Sequence, residues 1–188
     1  MKKTTLLIVM ALLCQFFSVY AQGVAENKAL VKPLNIGDRV PNLTFTNVIN
    51  GDRQTMRLSD FKGKAIVLDF WATWCSACIK FFPKMYDLQS RYGKNLQVIL
   101  IDDSESDTKE KVEAFVAKRI GNEDEISLPV AFHDSLTKAL FPHRMFPHYV
   151  WIGADRRVKA ITAVADLNTA NIENFIAGRS LYLKRKEY

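Results

Sequence analysis

The sequence predicts an α/β fold in which helices flank a central mixed sheet and a β-hairpin extends the N-terminus. Two continuous apolar runs, residues 65–68 and 96–101, are typical of strands that are covered on both faces. Segments with helical periodicity alternate with these strands along the chain. Of the 188 residues, 48% are hydrophobic and 24% are charged, which is close to the average of soluble globular proteins and argues against a disordered or fibrous chain.

Residues 1–21 have the pattern of a secretory signal peptide. Two lysines precede an apolar run over residues 6–19, and small side chains at Val19 and Ala21 suit cleavage before Gln22. The apolar run has about 14 residues, fewer than the roughly 20 that a membrane-spanning helix needs. We therefore expect an exported protein without a stable membrane anchor, in a periplasm where disulfides persist.

Charge and cysteine content narrow the classes of function. Cleavage removes two lysines, which lowers the formal net charge from +6 to +4, and it leaves Cys75 and Cys78 as the two remaining cysteines. Basic residues are scattered except near the C-terminus, so no nucleic-acid surface is predicted. Residues 22–36 are interpreted as a polar lead-in, 37–178 as the folded domain and 179–188 as a basic, solvated tail. A linker to a further domain is the alternative for the tail.

The first elements surround a turn signal. Residues 43–47 and 54–58 are predicted as the two strands of the hairpin, because the Asn-Gly dipeptide at 50–51 favours a tight turn between them. Residues 58–61 are predicted to form one helical turn. Residues 64–71 contain the first apolar run and are predicted as the first strand of the central sheet.

Two helices are predicted in the middle of the chain. Apolar residues at helical spacing predict the first over residues 76–92, with a kink at Pro83. The second is predicted over residues 107–120. Asp107 has a glutamate three residues later, which is the spacing of a capping box, and Gly121 is expected to end the helix.

The C-terminal third is predicted to consist of short elements. In chain order these are an ambiguous apolar segment, a short helix, two strands joined by a turn, and a final helix: residues 126–132, 134–141, 149–152, 158–164 and 168–177. Asp134 is a possible cap of the short helix, and Gly178 is expected to end the last helix.

The strongest chemical signal is the pair Cys75 and Cys78, directly after a predicted buried strand and at the start of a helix. Unpaired backbone N–H groups at a helix start favour an anion. The pKa of the Cys75 thiol is therefore expected below the free value of about 8.5, and the thiolate is the species that attacks a disulfide. Cys78, one turn later, is near enough to attack the resulting mixed disulfide. No metal or organic cofactor is expected, since the dithiol itself carries two electrons.

Two other uses of this cysteine pair stay open on the residues alone. A zinc site would need two further ligands, and the chain has no second pair of this spacing; His143 and His148 come nearest to a zinc-finger arrangement. A purely structural disulfide is the second alternative. It would close a very short loop and so remove little entropy from the unfolded chain.

Residues 67–78 resemble the active-site strand and turn of thioredoxin-fold proteins. Together with residues 37–41, 58–64 and 145–147, they resemble the exported TlpA-like thiol–disulfide oxidoreductases over about residues 36–178. The resemblance implies a thioredoxin-like fold and an enzyme that acts on protein disulfides, with reduction as the favoured direction. Its partners would be protein disulfide substrates and a thiol–disulfide electron donor.

The resemblance also implies roles for single residues. Cys75 corresponds to the nucleophile and Cys78 to the resolving cysteine. Asp69 corresponds to a buried acid that helps to deprotonate the resolving cysteine. A buried Asp satisfied by a neighbour is the plainer alternative, but a buried carboxylate without a partner is costly, which favours the proton-handling role.

Substrate contacts are implied at Trp74, Phe146 and Pro147. Pro147 corresponds to a cis-proline that packs beside the disulfide and presents the Phe146 backbone to the substrate chain. Trp71 and Trp74 are either core residues or flank the dithiol, and Trp74 is the better candidate for the surface. His148 either lies near the dithiol, where its cation would favour the thiolate, or is an ordinary polar residue.

The dipeptide Ser76-Ala77 differs from the Gly-Pro of thioredoxin and the Glu-Pro common in TlpA-like reductases. An oxidase or isomerase direction therefore stays open. A peroxidase of the peroxiredoxin type would need Thr and Pro where this chain has Ala72 and Leu68. The non-catalytic alternative is a redox-inactive adaptor that binds exported proteins at the Phe146-Pro147 groove.

Overall fold

A computed structural model describes residues 31–119, 127–132, 134–183 and 186. The predicted signal peptide and most of the predicted lead-in lie outside these residues. The strands are Thr44–Phe45 (β1), Val48–Ile49 (β2), Met56–Arg57 (β3), Ala65–Trp71 (β4), Leu96–Asp102 (β5), Val130–Phe132 (β6), His148–Ile152 (β7) and Val158–Thr162 (β8). The α-helices are Ser76–Ile79 (α1), Phe82–Tyr92 (α2), Lys109–Ala117 (α3), Ser135–Leu140 (α4) and Thr169–Ile176 (α5). All of them belong to the unit Lys32–Tyr188.

The central sheet is mixed, as predicted, with the strand order β2-β6-β5-β4-β7-β8. Strands β4, β5 and β6 run parallel, whereas β2, β7 and β8 pair antiparallel with their neighbours. Every residue of β4 and β5 is buried. Continuous apolar runs fit these central positions because both faces of the strands are covered.

Each face of the sheet carries its own core because side chains alternate along a strand. Val67 and Trp71 point into the first core, which α2, α3 and α5 cover and which contains both cysteines. Leu68 and Phe70 point into the second core, which the N-terminal segment and α4 cover. The dithiol therefore lies on one defined side of the sheet.

The N-terminal hairpin is only partly as predicted. Strands β1 and β3 pair antiparallel, with Phe45 opposite Met56. Between them, however, β2 leaves the pair and binds the edge of the central sheet, with Val48 opposite Ala131. Asn50 has a φ of 55°, a conformation that Asn tolerates, and it lies between β2 and β3, which belong to different sheets. Pairing at the open edge of β6 satisfies backbone groups that a two-stranded hairpin would leave exposed.

The helix predicted over residues 76–92 is divided into α1 and α2. Pro83 lies in the first turn of α2, where its missing N–H has no partner to lose. The predicted interruption is confirmed, and it is a break between two helices rather than a kink within one. The 3-10 helix Leu58–Phe61 confirms the predicted helical turn.

The predicted cap of α3 is wrong. Thr108 caps the helix by accepting a hydrogen bond from the Lys111 N–H at 3.2 Å. Asp107 turns toward another part of the chain instead. The caps predicted further on are confirmed: Asp134 accepts from the Thr137 N–H at 2.8 Å, and the φ of Gly178 is 68° at the end of α5.

The C-terminal tail is not simply solvated. The Lys186 backbone N–H donates to the Ile161 carbonyl at 2.9 Å, and its Nζ donates to the carbonyls of Met145 and Pro147, each at 2.7 Å. Burial lowers the pKa of Lys186. The tail thus packs against the segment that holds Pro147. Among the described residues, no helix is both long and apolar enough to cross a membrane.

Candidate active site

The turn from β4 into α1 brings Cys75 and Cys78 together. Cys75 is the N-cap of α1, and its sulfur forms a disulfide with Cys78 at 2.03 Å. Cys75 is 6% exposed and Cys78 is fully buried. Cys75 is therefore the more accessible of the two.

The start of α1 also provides a hydrogen-bond donor to the sulfur of Cys75. The Cys78 N–H donates to Cys75 Sγ at 3.2 Å. The same N–H would bind a thiolate at Cys75 more strongly, because hydrogen bonds to an anion are stronger than those to a neutral atom. The local backbone therefore favours the reactive form of Cys75 after reduction.

Asp69 lies in the middle of β4, fully buried. It falls between Val67 and Trp71 in the alternation of the strand, so it points to the face of the sheet that carries the dithiol. Neither carboxyl oxygen has a hydrogen-bond partner among the described residues. Burial raises the pKa of Asp69 well above its ordinary value, because an apolar environment disfavours the charged carboxylate.

Tyr149 lies directly opposite Asp69 on β7 and is also fully buried. Its pKa is raised by burial and further by the nearby Asp69 carboxyl. Its hydroxyl has no hydrogen-bond partner among the described residues. Two polar side chains thus lie in the apolar layer on the face of the sheet that carries the dithiol, and sequence reasoning identified only one of them.

Trp74 and Phe146 form the exposed border of the site. The Trp74 side chain is 60% exposed, while Trp71 is fully buried. The rings of Trp74 and Phe146 meet edge to face with centroids 5.6 Å apart. The peptide bond between Phe146 and Pro147 is cis, and Phe146 packs against the core that contains both cysteines. A surface cleft of about 360 Å³ lies along Trp74 and Phe146 and extends to Arg144.

Two carboxyl groups near the site were not assigned to it by sequence reasoning. Asp102 ends β5, and its pKa is raised to about 8, mainly by burial and then by the negative charge of Asp107. Burial would also raise the pKa of Asp107, but hydrogen bonds from Lys111 and Thr73 hold it below its usual value. One signal was available, because Trp71 and Asp102 end neighbouring parallel strands and such ends meet at one edge of the sheet.

The sequence profile of the AhpC/TSA family matches residues 36–135, more than half of the chain. The protein belongs to the AhpC/TSA family. The match begins before β1 and ends at the start of α4, so it includes the disulfide and the loop that follows β5. The predicted membership of a thioredoxin-fold group is confirmed.

Two curated relatives of this AhpC/TSA protein are thiol-disulfide oxidoreductases named ResA. A ResA of Bacillus cereus is 31% identical over 153 residues, which cover 78% of this chain and 80% of the relative. The ResA of Bacillus thuringiensis subsp. konkukian is 35% identical over 113 residues, which cover 57% of this chain and 61% of the relative. The predicted class of enzyme, a protein thiol–disulfide oxidoreductase, is confirmed by these relatives.

A solved structure supports the fold of this AhpC/TSA protein. A protein from Chlorobium tepidum, described as a thiol:disulfide interchange protein DsbE, is 27% identical and superposes with a TM-score of 0.57. The superposition covers 74% of this chain and 92% of the other. The predicted thioredoxin-like sheet is therefore confirmed.

His148 does not face the dithiol in this AhpC/TSA protein. It is fully buried opposite Phe70, on the other face of the sheet, and stacks on His143 with ring centroids 4.5 Å apart. Burial, and then the positive charge that His143 can carry, lower the pKa of His148 to about 2, so the ring is neutral. The role of a cation beside the thiolate is therefore excluded for His148. His133 lies outside the described residues.

The zinc site considered as an alternative use of Cys75 and Cys78 would need further ligands beside these two cysteines. Across the described residues, no group of three or more His, Cys, Asp or Glu side chains is placed to hold a metal ion. Both cysteine sulfurs are bonded to each other. The chemistry that this AhpC/TSA site offers is the exchange of that disulfide bond.

Proposed function

We propose that the protein is an exported enzyme that reduces protein disulfides by attack of Cys75. The supporting observation is the Cys75–Cys78 disulfide at the start of α1, where Cys75 is 6% exposed and directly follows the exposed Trp74. Export rests on the signal-peptide pattern of residues 1–21. The assignment as a reductase rests on the uncharged residues Ser76 and Ala77 between the two cysteines.

The first step is a thiol–disulfide exchange. The Cys75 thiolate attacks one sulfur of the substrate disulfide, and a bond forms between Cys75 and the substrate while the substrate S–S bond breaks. The second substrate sulfur leaves as a thiolate and takes a proton from solvent. The Cys78 N–H at the start of α1 stabilises the attacking anion.

The second step releases the substrate. Cys78 loses its proton, and its thiolate attacks the sulfur of Cys75, which displaces the substrate as a second thiolate. The substrate has then gained two electrons, and the enzyme holds the Cys75–Cys78 disulfide seen in the structure. Asp69 accepts the proton of Cys78, since its raised pKa makes the carboxylate a better base near neutral pH.

Reduction is favoured over oxidation because neither Ser76, Ala77 nor His148 adds a positive charge to the backbone stabilisation of the Cys75 anion. Strong oxidants of this kind depend on a highly stabilised thiolate in the reduced form. Here Ser76 and Ala77 carry no charge, α1 has only four residues, and the neutral His148 lies on the opposite face. A less stabilised thiolate gives up electrons more readily, so the pair acts as a donor.

The substrate chain is proposed to bind in the groove lined by Trp74 and Phe146 and to lie along the Phe146 backbone before Pro147. An exposed aromatic side chain supplies a large contact area with few rotatable bonds, which suits recognition of varied protein surfaces. This groove is the surface cleft of about 360 Å³ described above. It has room for side chains that flank the substrate cysteine.

Replacement of Trp74 by Ala is expected to raise the KM for insulin about tenfold, because the exposed contact area of a hot-spot aromatic is lost. The reduction of hydroxyethyl disulfide, which is too small to use the groove, should change little. Steady-state kinetics on both substrates measure this. Tyr86→Ala removes another exposed aromatic side chain, on α2, and is the matched control. Equal KM values for Trp74→Ala and Tyr86→Ala would contradict the proposed groove.

The proposed function is tested by trapping the intermediate. In Cys78→Ala the second step is impossible, so the mixed disulfide on Cys75 should accumulate with insulin chains or with exported proteins. Mass spectrometry of the adduct, and its release by dithiothreitol, identify the bond. A variant that also lacks Cys75 is the control and should trap nothing. Absence of an adduct on Cys78→Ala would overturn the mechanism and favour the redox-inactive adaptor.

A further inference from the structure

The loop after β5 holds the segment that leads into the nucleophile. The Thr73 N–H donates to Asp107 Oδ2 at 2.8 Å, and the Thr73 hydroxyl donates to Asp107 Oδ1 at 2.6 Å. Thr73 is two residues before Cys75, and Asp107 is the residue before the cap of α3. One carboxylate thus binds both the backbone and the side chain of Thr73.

The Asp107 carboxylate is an anion in the interior. Its side chain is fully buried, and Lys111 Nζ binds Oδ1 from the first turn of α3. Hydrogen bonds to a charged group are stronger than those between neutral groups, and their loss in the interior costs more. Asp107 is therefore a firm anchor for Thr73, although it does not contact either sulfur atom.

The same loop fixes the Trp74 ring. The indole N–H of Trp74 lies 3.1 Å from Ser104 Oγ and 3.0 Å from Ser106 Oγ. The two serine hydroxyls lie 3.0 Å from each other. Trp74 therefore presents its exposed face in one orientation, with Phe146 against its edge.

We propose that Asp107 is a positioning residue for substrate recognition: through Thr73 it fixes the segment that carries Trp74, so that the groove lined by Trp74 and Phe146 exists before the substrate binds. This assignment rests on the proposed function, because it concerns binding of a protein chain to that groove. An ordered groove binds more tightly, since less side-chain entropy is lost on binding. Asp107 acts on the affinity for large substrates and leaves the sulfur chemistry unchanged.

The chain offers a matched control for the charge of Asp107. Asp155 also pairs with a lysine four residues later, since Lys159 Nζ lies 2.7 Å from its carboxylate. This pair is at the turn between β7 and β8, and both side chains are partly exposed. Asp155→Asn therefore removes a comparable ion pair without touching the Thr73 segment.

The experiment compares Thr73→Val, Thr73→Ser, Asp107→Asn and Asp155→Asn with the wild-type protein. Measured are kcat and KM for insulin, the same constants for hydroxyethyl disulfide, and the rate at which iodoacetamide alkylates Cys75 in the reduced protein. Thr73→Val and Asp107→Asn should raise the KM for insulin about tenfold, the effect typical of one lost hydrogen bond to a charged group. Hydroxyethyl disulfide reduction and alkylation should stay unchanged. Thr73→Ser keeps the hydroxyl and should restore the insulin KM, and Asp155→Asn should match the wild type.

Several results would overturn the positioning role. These are an unchanged insulin KM in Thr73→Val, an equal loss on both disulfides and in alkylation, or a failure of Thr73→Ser to restore binding. The equal loss would indicate general damage to the fold. If the wild type and Thr73→Val reduce insulin equally well, only the positioning role is refuted. If the wild type does not reduce insulin, the proposed function and the positioning role are refuted together.

Discussion

Replacement of Cys75 by Ser is expected to lower kcat/KM for insulin reduction by more than about 10³-fold, the scale on which enzymes lose activity with their nucleophile. A serine hydroxyl cannot form a bond to the substrate sulfur that exchanges again, so neither step of the reaction can occur. The buried Cys78 cannot replace it, because Cys78 is fully enclosed in the core. The turbidity of reduced insulin, with dithiothreitol as electron donor, measures the loss.

A loss of fold must be separated from a loss of chemistry in Cys75→Ser. The missing disulfide closes a loop of only a few residues, so its removal changes the entropy of the unfolded chain little. Thermal unfolding of Cys75→Ser and of the reduced wild-type protein should therefore agree. Cys78→Ser is the matched variant: it retains the attack on substrate and should form one mixed disulfide per molecule. Undiminished turnover by Cys75→Ser would remove the basis of the mechanism.

Replacement of Asp69 by Asn is expected to slow the release of the mixed disulfide by about 10²-fold, the lower range for a lost general base. The first step, attack by Cys75, should keep its rate, since Asp69 serves the proton of Cys78. Quenched-flow mixing with acid, followed by mass spectrometry of the mixed disulfide, separates the rates of the two steps. Equal slowing of both steps would contradict a specific role of Asp69 in resolution.

The same variant has a predicted effect on the pH dependence of stability. Burial raises the pKa of Asp69 in the folded protein above the unfolded value of about 3.9, so the folded state binds more protons. The free energy of unfolding should therefore fall as pH rises from about 4 toward the folded pKa, because ionisation of the buried acid costs free energy. In Asp69→Asn this decline should disappear.

Asp155 provides the control for that pH dependence. Burial acts to raise the pKa of Asp155, but hydrogen bonds from Lys159 and the Arg157 N–H outweigh it and lower the pKa. Its contribution to stability is present above the unfolded pKa and is lost at lower pH, the opposite sign to Asp69. Urea unfolding of Asp155→Asn should show the wild-type decline above about pH 4. A wild-type stability that does not fall over this range would contradict a raised pKa of Asp69 in the folded protein.

The sheet and the redox pair could be predicted because their signals are local. The buried runs of β4 and β5 contain almost only apolar residues, and the spacing of Cys75 and Cys78 is legible in the chain. A proline inside a helix interrupts it, so Pro83 predicted a break in the helix expected over residues 76–92. The structure places this break just before α2. Asp69 stood out as the one charged residue in an apolar run, and its burial is confirmed.

The errors of prediction occur where a residue had two possible partners. Asp107 has the spacing of a cap, but its carboxylate binds Thr73, and Thr108 takes the cap position instead. The residues between the predicted strands 43–47 and 54–58 were expected to form only a turn, yet Val48–Ile49 pairs with the edge strand β6 of the central sheet. In both cases the local pattern was compatible with either partner.

Hydrophobic runs, cysteine spacing and turn residues thus identified the fold and the pair that exchanges electrons. Which groups surround that pair was decided by packing: His148 lies on the face away from the sulfurs, Asp107 anchors Thr73, and Lys186 binds the carbonyl of Pro147. These contacts join residues far apart in the chain, and their free energy depends on burial and geometry that no neighbouring residues encode. Local chemistry therefore specifies what reacts, and the folded structure specifies the environment in which it reacts.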